Sequence, residues 1–125
     1  MPLLLFVVLL LAAVLALLLW GEKRLYRPDA RYPHPEAVFP EKPRLVCAGD
    51  SITHGNVSAN YVEILAANHP DWQVFNAGIN SDLAESLLRR LDDVVAVRPD
   101  LVTVLIGTND VNATMSRASL LSYNR

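Results

Sequence analysis

The chain has 125 residues and a net charge of −2, with 11 basic and 13 acidic side chains. This length suits one modest domain, and the slightly acidic balance provides no strongly basic face of the kind that binds nucleic acid. We therefore expect no nucleic acid as a partner. The single cysteine, Cys47, cannot form an internal disulfide and lies in an apolar run, so a buried and unreactive thiol is expected.

The amino-terminal segment is one unbroken apolar run over residues 3–20. As a helix this run spans about 27 Å, close to the hydrocarbon thickness of about 30 Å in a bilayer. A secretory signal normally begins with basic residues and ends at a small-x-small cleavage site. Here no charged side chain precedes the run, which ends in Leu-Leu-Leu-Trp-Gly. We predict a membrane anchor over residues 1–21, with the signal segment of a secreted or periplasmic protein as the alternative.

The charges after the apolar run bear on its orientation. By the positive-inside rule, basic residues just beyond a span keep that side in the cytoplasm, whereas an exported enzyme needs the opposite arrangement. Both orientations stay open. Four basic residues follow the run: Lys23, Arg24, Arg27 and Arg31.

The next segment, residues 22–43, is rich in proline. Five of the chain's eight prolines lie between positions 28 and 43. Proline removes a backbone donor and fixes φ, so neither a regular helix nor a central strand is expected there. We predict an extended, semi-rigid spacer between the membrane and a domain over residues 44–125.

Within that domain, strand-like and helix-like patterns alternate. Three short segments, residues 45–48, 72–76 and 101–106, are the predicted strands. The first and third are apolar throughout, as strands buried on both faces are. Alternation of strands with helices predicts a parallel sheet with right-handed crossovers and helices packed on its faces. The predicted fold class is α/β.

Helices are predicted after each of the three strands. Ser58 is a suitable N-cap for the first helix, and Pro70 ends it. Asp82 and Glu85 resemble a capping box at the start of the second. A third helix is expected over residues 118–123. The second helix also carries a charged cluster that we interpret as a solvated face: Arg89, Arg90, Asp92 and Asp93.

Each predicted strand ends in a polar loop that contains glycine. Since the carboxyl ends of parallel strands share one edge of a sheet, where open α/β folds bind ligands, these loops should be neighbours. Acyl transfer needs a nucleophile and hydrogen-bond donors for an oxyanion. Ser51 offers a hydroxyl, and the N–H groups of Ser51 and Gly78 with the carboxamide of Asn109 offer the donors.

The three loops together resemble the SGNH, or GDSL-type, hydrolase family. The resemblance covers roughly residues 44–112 and rests on Gly-Asp-Ser-Ile-Thr-His-Gly, Asn-Ala-Gly and Gly-Thr-Asn-Asp, in that order. It implies a three-layer α/β/α sandwich with a flavodoxin-like sheet. It also implies hydrolysis of esters or thioesters without a metal or other cofactor, and no particular substrate. Lipid esters and glycan esters both suit an enzyme anchored in a membrane.

The same resemblance implies roles for single residues. Ser51 attacks the carbonyl carbon of the substrate, and Ser51, Gly78 and Asn109 line the oxyanion hole. Asp50 and Asp110 order the loops and are not catalytic acids. These five residues form the predicted site.

The sequence departs from the family pattern in its base. The family places the base in a late Asp-x-x-His motif, whereas none of His34, His54 and His69 follows an aspartate by three residues. His54 matches a variable position of the serine block, so we expect it to be structural or to line the substrate. We expect the chain to be the amino-terminal part of a longer hydrolase, inactive without the missing histidine and aspartate.

Three other interpretations compete with this one. An α/β-hydrolase places its serine in a Gly-x-Ser-x-Gly turn, but Thr53 stands where the second glycine is required. Nucleotide-binding loops are disfavoured because neither of their glycine patterns occurs. A membrane-tethered, non-catalytic ligand-binding domain with the same fold stays as the alternative function.

Overall fold

The structure is a computed structural model that describes residues 2–25, 28–29, 31–56 and 59–114. A short 3-10 turn, Pro35–Ala37, lies between the first helix and the first strand. The elements in chain order are α1 (Pro2–Leu25), β1 (Arg44–Gly49), α2 (Ser51–His54), α3 (Tyr61–Asn68), β2 (Gln73–Gly78), α4 (Ala84–Arg89), α5 (Leu91–Ala96), β3 (Leu101–Leu105) and α6 (Thr108–Thr114).

The three strands form one parallel sheet in the order β2-β1-β3. At the end of β1, Gly49 lies opposite Gly78 of β2 on one side and Leu105 of β3 on the other. The carboxyl ends of all three strands therefore reach one edge of the sheet. The prediction of an α/β fold with a parallel sheet is confirmed.

Helices cover both faces of the sheet. Successive residues of a strand point to opposite faces, and each face of β1 and β2 carries its own apolar cluster. On one face Val46 packs with Leu87 of α4 and Val94 of α5. On the other face Cys47 packs with Val62 of α3. The sheet thus lies between two helical layers, which is the predicted α/β/α arrangement.

The third strand is not buried on both faces, so that prediction is wrong. Every residue of β3 is exposed, and Val104 reaches 62%. The two apolar clusters contain no residue of β3, because the described helices pack over β1 and β2. Within the described residues, β3 is an uncovered outer strand of the sheet.

The proline-rich segment lies against the domain and is more than a spacer. The N–H of Asn76 in β2 donates to the carbonyl of Arg31 at 2.9 Å. The N–H of Phe39 donates to the side-chain oxygen of Gln73 at 2.8 Å. These contacts cover the outer edge of β2, whose unpaired backbone groups would otherwise be open to another chain.

The helix starts also differ from the sequence prediction. Asn60 caps α3, and its side chain accepts the N–H of Glu63 at 3.2 Å. Ser58, the predicted cap, lies outside the described residues, as does the helix expected over residues 118–123. Asp82 is not the N-cap of α4, which begins after Leu83.

The apolar amino-terminal helix α1 suits both predictions for this segment. By length and composition, Leu3–Gly21 is apolar enough to cross a membrane, with a mean hydropathy of 3.2. A signal sequence near the amino terminus has the same properties. The helix therefore fits an anchored protein and a secreted one.

Gly78 permits an approach of β2 to α2 that no larger residue allows. A Cβ at this position would collide with the backbone of Thr53 and His54, which cannot move aside as a side chain can. We expect Gly78→Ala to lower the free energy of unfolding by about 1–3 kcal/mol, as overpacking does, in urea titrations followed by circular dichroism. Gly21→Ala is the matched control, since nothing lies within 4 Å of its added Cβ. Equal stability of the two variants would contradict this packing.

Candidate active site

Ser51 is placed by the tight turn that follows β1. It is the first residue of α2, and the preceding Asp50 caps this helix, its Oδ1 accepting the N–H of Ile52 at 3.0 Å. Ser51 is partly exposed, whereas Asp50 is only 1% exposed. The turn therefore presents a hydroxyl at the edge of the sheet and buries the acid that shapes it.

The short helix α2 is held by polar contacts from β2 and α3. The side-chain amide of Asn76 donates to the carbonyl of His54 at 3.2 Å. The hydroxyls of Thr53 and Tyr61 are hydrogen-bonded at 3.2 Å. Both Thr53 and His54 are buried, and the burial of His54 fits the structural role expected for it.

The N–H of Gly78 already has a partner. It donates to Oδ1 of Asn76 at 3.0 Å, and both residues are buried. This N–H can therefore donate to an oxyanion only after its hydrogen bond to the Asn76 side chain is broken. The contact that Gly78 makes in this conformation is with the backbone of α2.

Two predicted site residues, Asn109 and Asp110, lie in the first turn of α6 and bind the segment that follows β2. The side-chain amide of Asn109 donates to the carbonyl of Asp82 at 2.9 Å. The carboxylate of Asp110 accepts the N–H of Ala84 at 3.1 and 3.2 Å. An amide nitrogen carries two hydrogens, and Asn109 uses one of them in this bond. Asp110 holds the start of α4, which fits a loop-ordering role.

Arg90, which the sequence did not single out as a site residue, connects the end of β1 at Gly49 with Asp82 in the loop after β2. Its side chain is only 15% exposed, so its assignment to a solvated face is wrong. Nε donates to Oδ2 of Asp82 at 2.8 Å, and Nη2 donates to the carbonyl of Gly49 at 3.1 Å. Helical spacing could have indicated this position, because Arg90 follows the buried Leu87 by three residues and precedes the buried Val94 by four. The neighbouring Arg89 is exposed, as predicted.

The carboxyl groups of Asp50 and Asp82, near Arg90, are both buried. Burial raises the pKa of the Asp82 carboxyl above its ordinary value, the ion pair with Arg90 opposes this rise, and the charge of Asp50 adds to it. Oδ2 of Asp50 is buried and has no hydrogen-bond partner among the described residues. The guanidinium of Arg90 is therefore the group that favours the charged form of Asp82.

Tyr32, from the proline-rich segment, contacts both Arg90 and Asp93. Its hydroxyl donates to Oδ2 of Asp93 at 2.8 Å, and the guanidinium of Arg90 lies 5.9 Å from the centre of its ring. Burial raises the pKa of the Tyr32 hydroxyl, and Asp93 adds to the rise. The hydroxyl thus stays protonated and available as a donor at neutral pH.

Comparisons with known proteins identify proteins of similar sequence and fold. The model of the GDSL-like Lipase/Acylhydrolase family matches residues 47–123. A solved structure of a G-D-S-L family protein from Desulfitobacterium hafniense DCB-2 is 26% identical with a TM-score of 0.54, over 66% of this chain and 49% of its own. The structure of AlinE4, a SGNH-hydrolase family esterase, is 24% identical with a TM-score of 0.50, over 63% and 47%. No curated protein matches. The chain spans about half the length of the two solved proteins.

The bond from Asp110 to the start of α4 gives a measurable stability effect. Asp110→Ala removes the acceptor of the Ala84 N–H and should lower the free energy of unfolding by about 1 kcal/mol, as loss of a helix cap does. Asp110→Asn keeps one acceptor oxygen and should lose less. Asp71→Ala, at an exposed turn position, is the control and should leave the urea midpoint unchanged. A midpoint for Asp110→Ala equal to that of the parent chain would argue against this bond.

Proposed function

The chain belongs to the GDSL-like lipase/acylhydrolase family, and on this basis we propose that Ser51 is the nucleophile of an ester hydrolase. The main support is the position of Ser51 at the start of α2, directly after the central strand β1. The strands that lead to Gly78 and Asn109 flank β1 on its two sides. A hydroxyl and two loops with donors thus border one edge of the sheet.

The proposed reaction proceeds through an acyl-enzyme. Ser51 Oγ attacks the carbonyl carbon and its proton passes to a base, which then gives that proton to the leaving alcohol of an ester or thiol of a thioester. Water then attacks the acyl carbon and releases the acid and the free serine. Carboxylic esters and thioesters both fit this chemistry, and lipid esters and glycan esters both suit a domain that α1 anchors in a membrane.

Negative charge develops on the carbonyl oxygen of the substrate and needs fixed donors. We assign the N–H of Ser51 and the second amide hydrogen of Asn109 to this oxygen. Gly78 becomes a third donor when Asn76 releases its N–H. Removal of one such donor typically slows an enzyme about 100- to 1000-fold. Asp50 and Asp110 support this arrangement by shaping the turn and the start of α4.

The proposal also needs a base for the Ser51 proton. No histidine of these 125 residues follows an aspartate by three positions, and the nearest in sequence, His54, is buried. We propose that the chain alone is inactive and that an Asp-x-x-His motif of the family type supplies the base. A non-catalytic ligand-binding domain is the alternative that the same features allow.

A fluorophosphonate probe should label Ser51 in the complete natural protein, because such probes react with activated serines. We expect peptide mass spectrometry to find one modified site, and Ser51→Ala to abolish the label. Ser86→Ala is the matched control, since Ser86 lies within α4 and should leave labelling unchanged. Undiminished labelling of the Ser51→Ala protein would refute the assignment, and an unlabelled natural protein would favour the ligand-binding alternative.

The 125-residue chain by itself should hydrolyse p-nitrophenyl acetate barely faster than buffer, because an unactivated serine is a weak nucleophile. Initial rates of the chain and of its Ser51→Ala variant should coincide. Turnover near about 10 per second, a rate typical of enzymes, would show that the chain supplies its own base. Loss of that turnover in His54→Gln would then identify the base as His54.

A further inference from the structure

We propose that Arg90 is a positioning residue, which fixes the turn that carries Ser51 relative to the loop that holds Asn109. The inference rests on the proposed function of Ser51. The side chain of Arg90 contacts the chain directly before the Asp50-Ser51 turn and the carboxylate of Asp82 at the same time. Its effect on the reaction is therefore indirect, through the geometry of the two loops.

The guanidinium of Arg90 binds two acceptors at once. Nη2 donates to the carbonyl of Gly49 at 3.1 Å and lies 2.7 Å from Oδ2 of Asp82, which Nε also contacts. A guanidinium is planar, and its N–H groups form a rigid fork. It therefore fixes both the distance and the orientation between two acceptors. A lysine ammonium carries the same charge but not this fixed geometry.

Asp82 in turn contacts Asn109. The carbonyl of Asp82 accepts the side-chain amide of Asn109 at 2.9 Å, while its carboxylate is bound by Arg90. Direct contacts therefore run from Gly49 through Arg90 and Asp82 to Asn109. One end of this series lies two residues before Ser51, and the other end is the carboxamide of Asn109.

Both partners of this ion pair are largely buried. The side chains of Arg90 and Asp82 are 15% and 11% exposed, and the Tyr32 ring lies beside the guanidinium. Breaking a buried ion pair leaves an uncompensated charge, so such a pair holds its geometry more firmly than an exposed one. The charged and titratable groups around the pair are Asp50, Asp93 and the Tyr32 hydroxyl.

The rate of fluorophosphonate labelling at Ser51 in the complete protein measures this positioning. We expect Arg90→Met to slow labelling of the folded protein by about 10- to 100-fold, the effect of a slightly misplaced reacting group. Arg90→Lys should recover part of the rate. Arg89→Met is the matched control, because Arg89 is exposed and pairs only with Glu85 among the described residues. A parental rate in folded Arg90→Met protein would overturn the proposal.

The pH dependence gives a second readout of the Arg90–Asp82 pair. Burial raises the pKa of Asp82, and the ion pair with Arg90 opposes this rise. Protonation of Asp82 removes the charge that Arg90 binds, so the parent protein and Arg89→Met should lose the benefit of the pair as Asp82 takes up its proton. Arg90→Met lacks the pair at every pH, so the ratio of the parental labelling rate to its own rate should fall toward one at acidic pH. A ratio that stays constant on acidification would contradict the positioning role.

Hydrogen exchange tests the positioning without any chemistry at Ser51. We expect the amides of residues 52–55 to exchange faster in Arg90→Lys, and in Arg90→Met where it folds, than in Arg89→Met. Unchanged exchange in Arg90→Lys would overturn the proposal even if Ser51 is labelled normally. Faster exchange in a protein that the probe does not label would support Arg90 while refuting the proposed function, so the two failures are distinct.

Discussion

The register of the parallel sheet is the constraint on which the site depends. Gly49 lies opposite Gly78 and Leu105, so the chain leaves all three strands at nearly the same height. A side chain at Gly49 would collide with the carbonyl of Leu105 and the hydroxyl of Thr53. Glycine at this position therefore lets β1 and the helix after it meet β3 closely. A shift of one residue in either pairing would separate the loops that the proposed chemistry needs together.

Side-chain contacts hold together the segments that follow the three strands. Asn109 binds the carbonyl of Asp82, Asp110 binds the start of α4, and Arg90 joins the carboxylate of Asp82 to the end of β1. Tyr32 adds the proline-rich segment to this set. Tyr32 therefore packs against the domain that carries the site, and its loss would uncover one side of the Arg90 guanidinium.

The sequence predicted the features that depend on local pattern. Continuous apolar runs followed by glycine-containing polar loops identified the α/β class, the parallel sheet and the family. Features that depend on a distant partner were missed. A charge in a polar stretch of helix suggests a solvated side chain, yet the side chain of Arg90 is only partly exposed and donates to a carbonyl 41 residues earlier in the chain. The Gly78 N–H donates to the side chain of Asn76, whose orientation hydropathy does not predict. The exposure of β3 was not predicted because the apolar sequence of a strand does not show which elements cover it.

The structure of a phosphonate adduct tests the central claim most directly, because it shows the reacting serine and the donors in one state. We predict phosphorus bonded to Oγ of Ser51, with the phosphoryl oxygen about 2.7–3.1 Å from the side-chain nitrogen of Asn109 and from the N–H of Ser51, the range expected for oxyanion donors. An adduct on another residue would contradict the claim. So would a phosphoryl oxygen that points away from Asn109 into solvent.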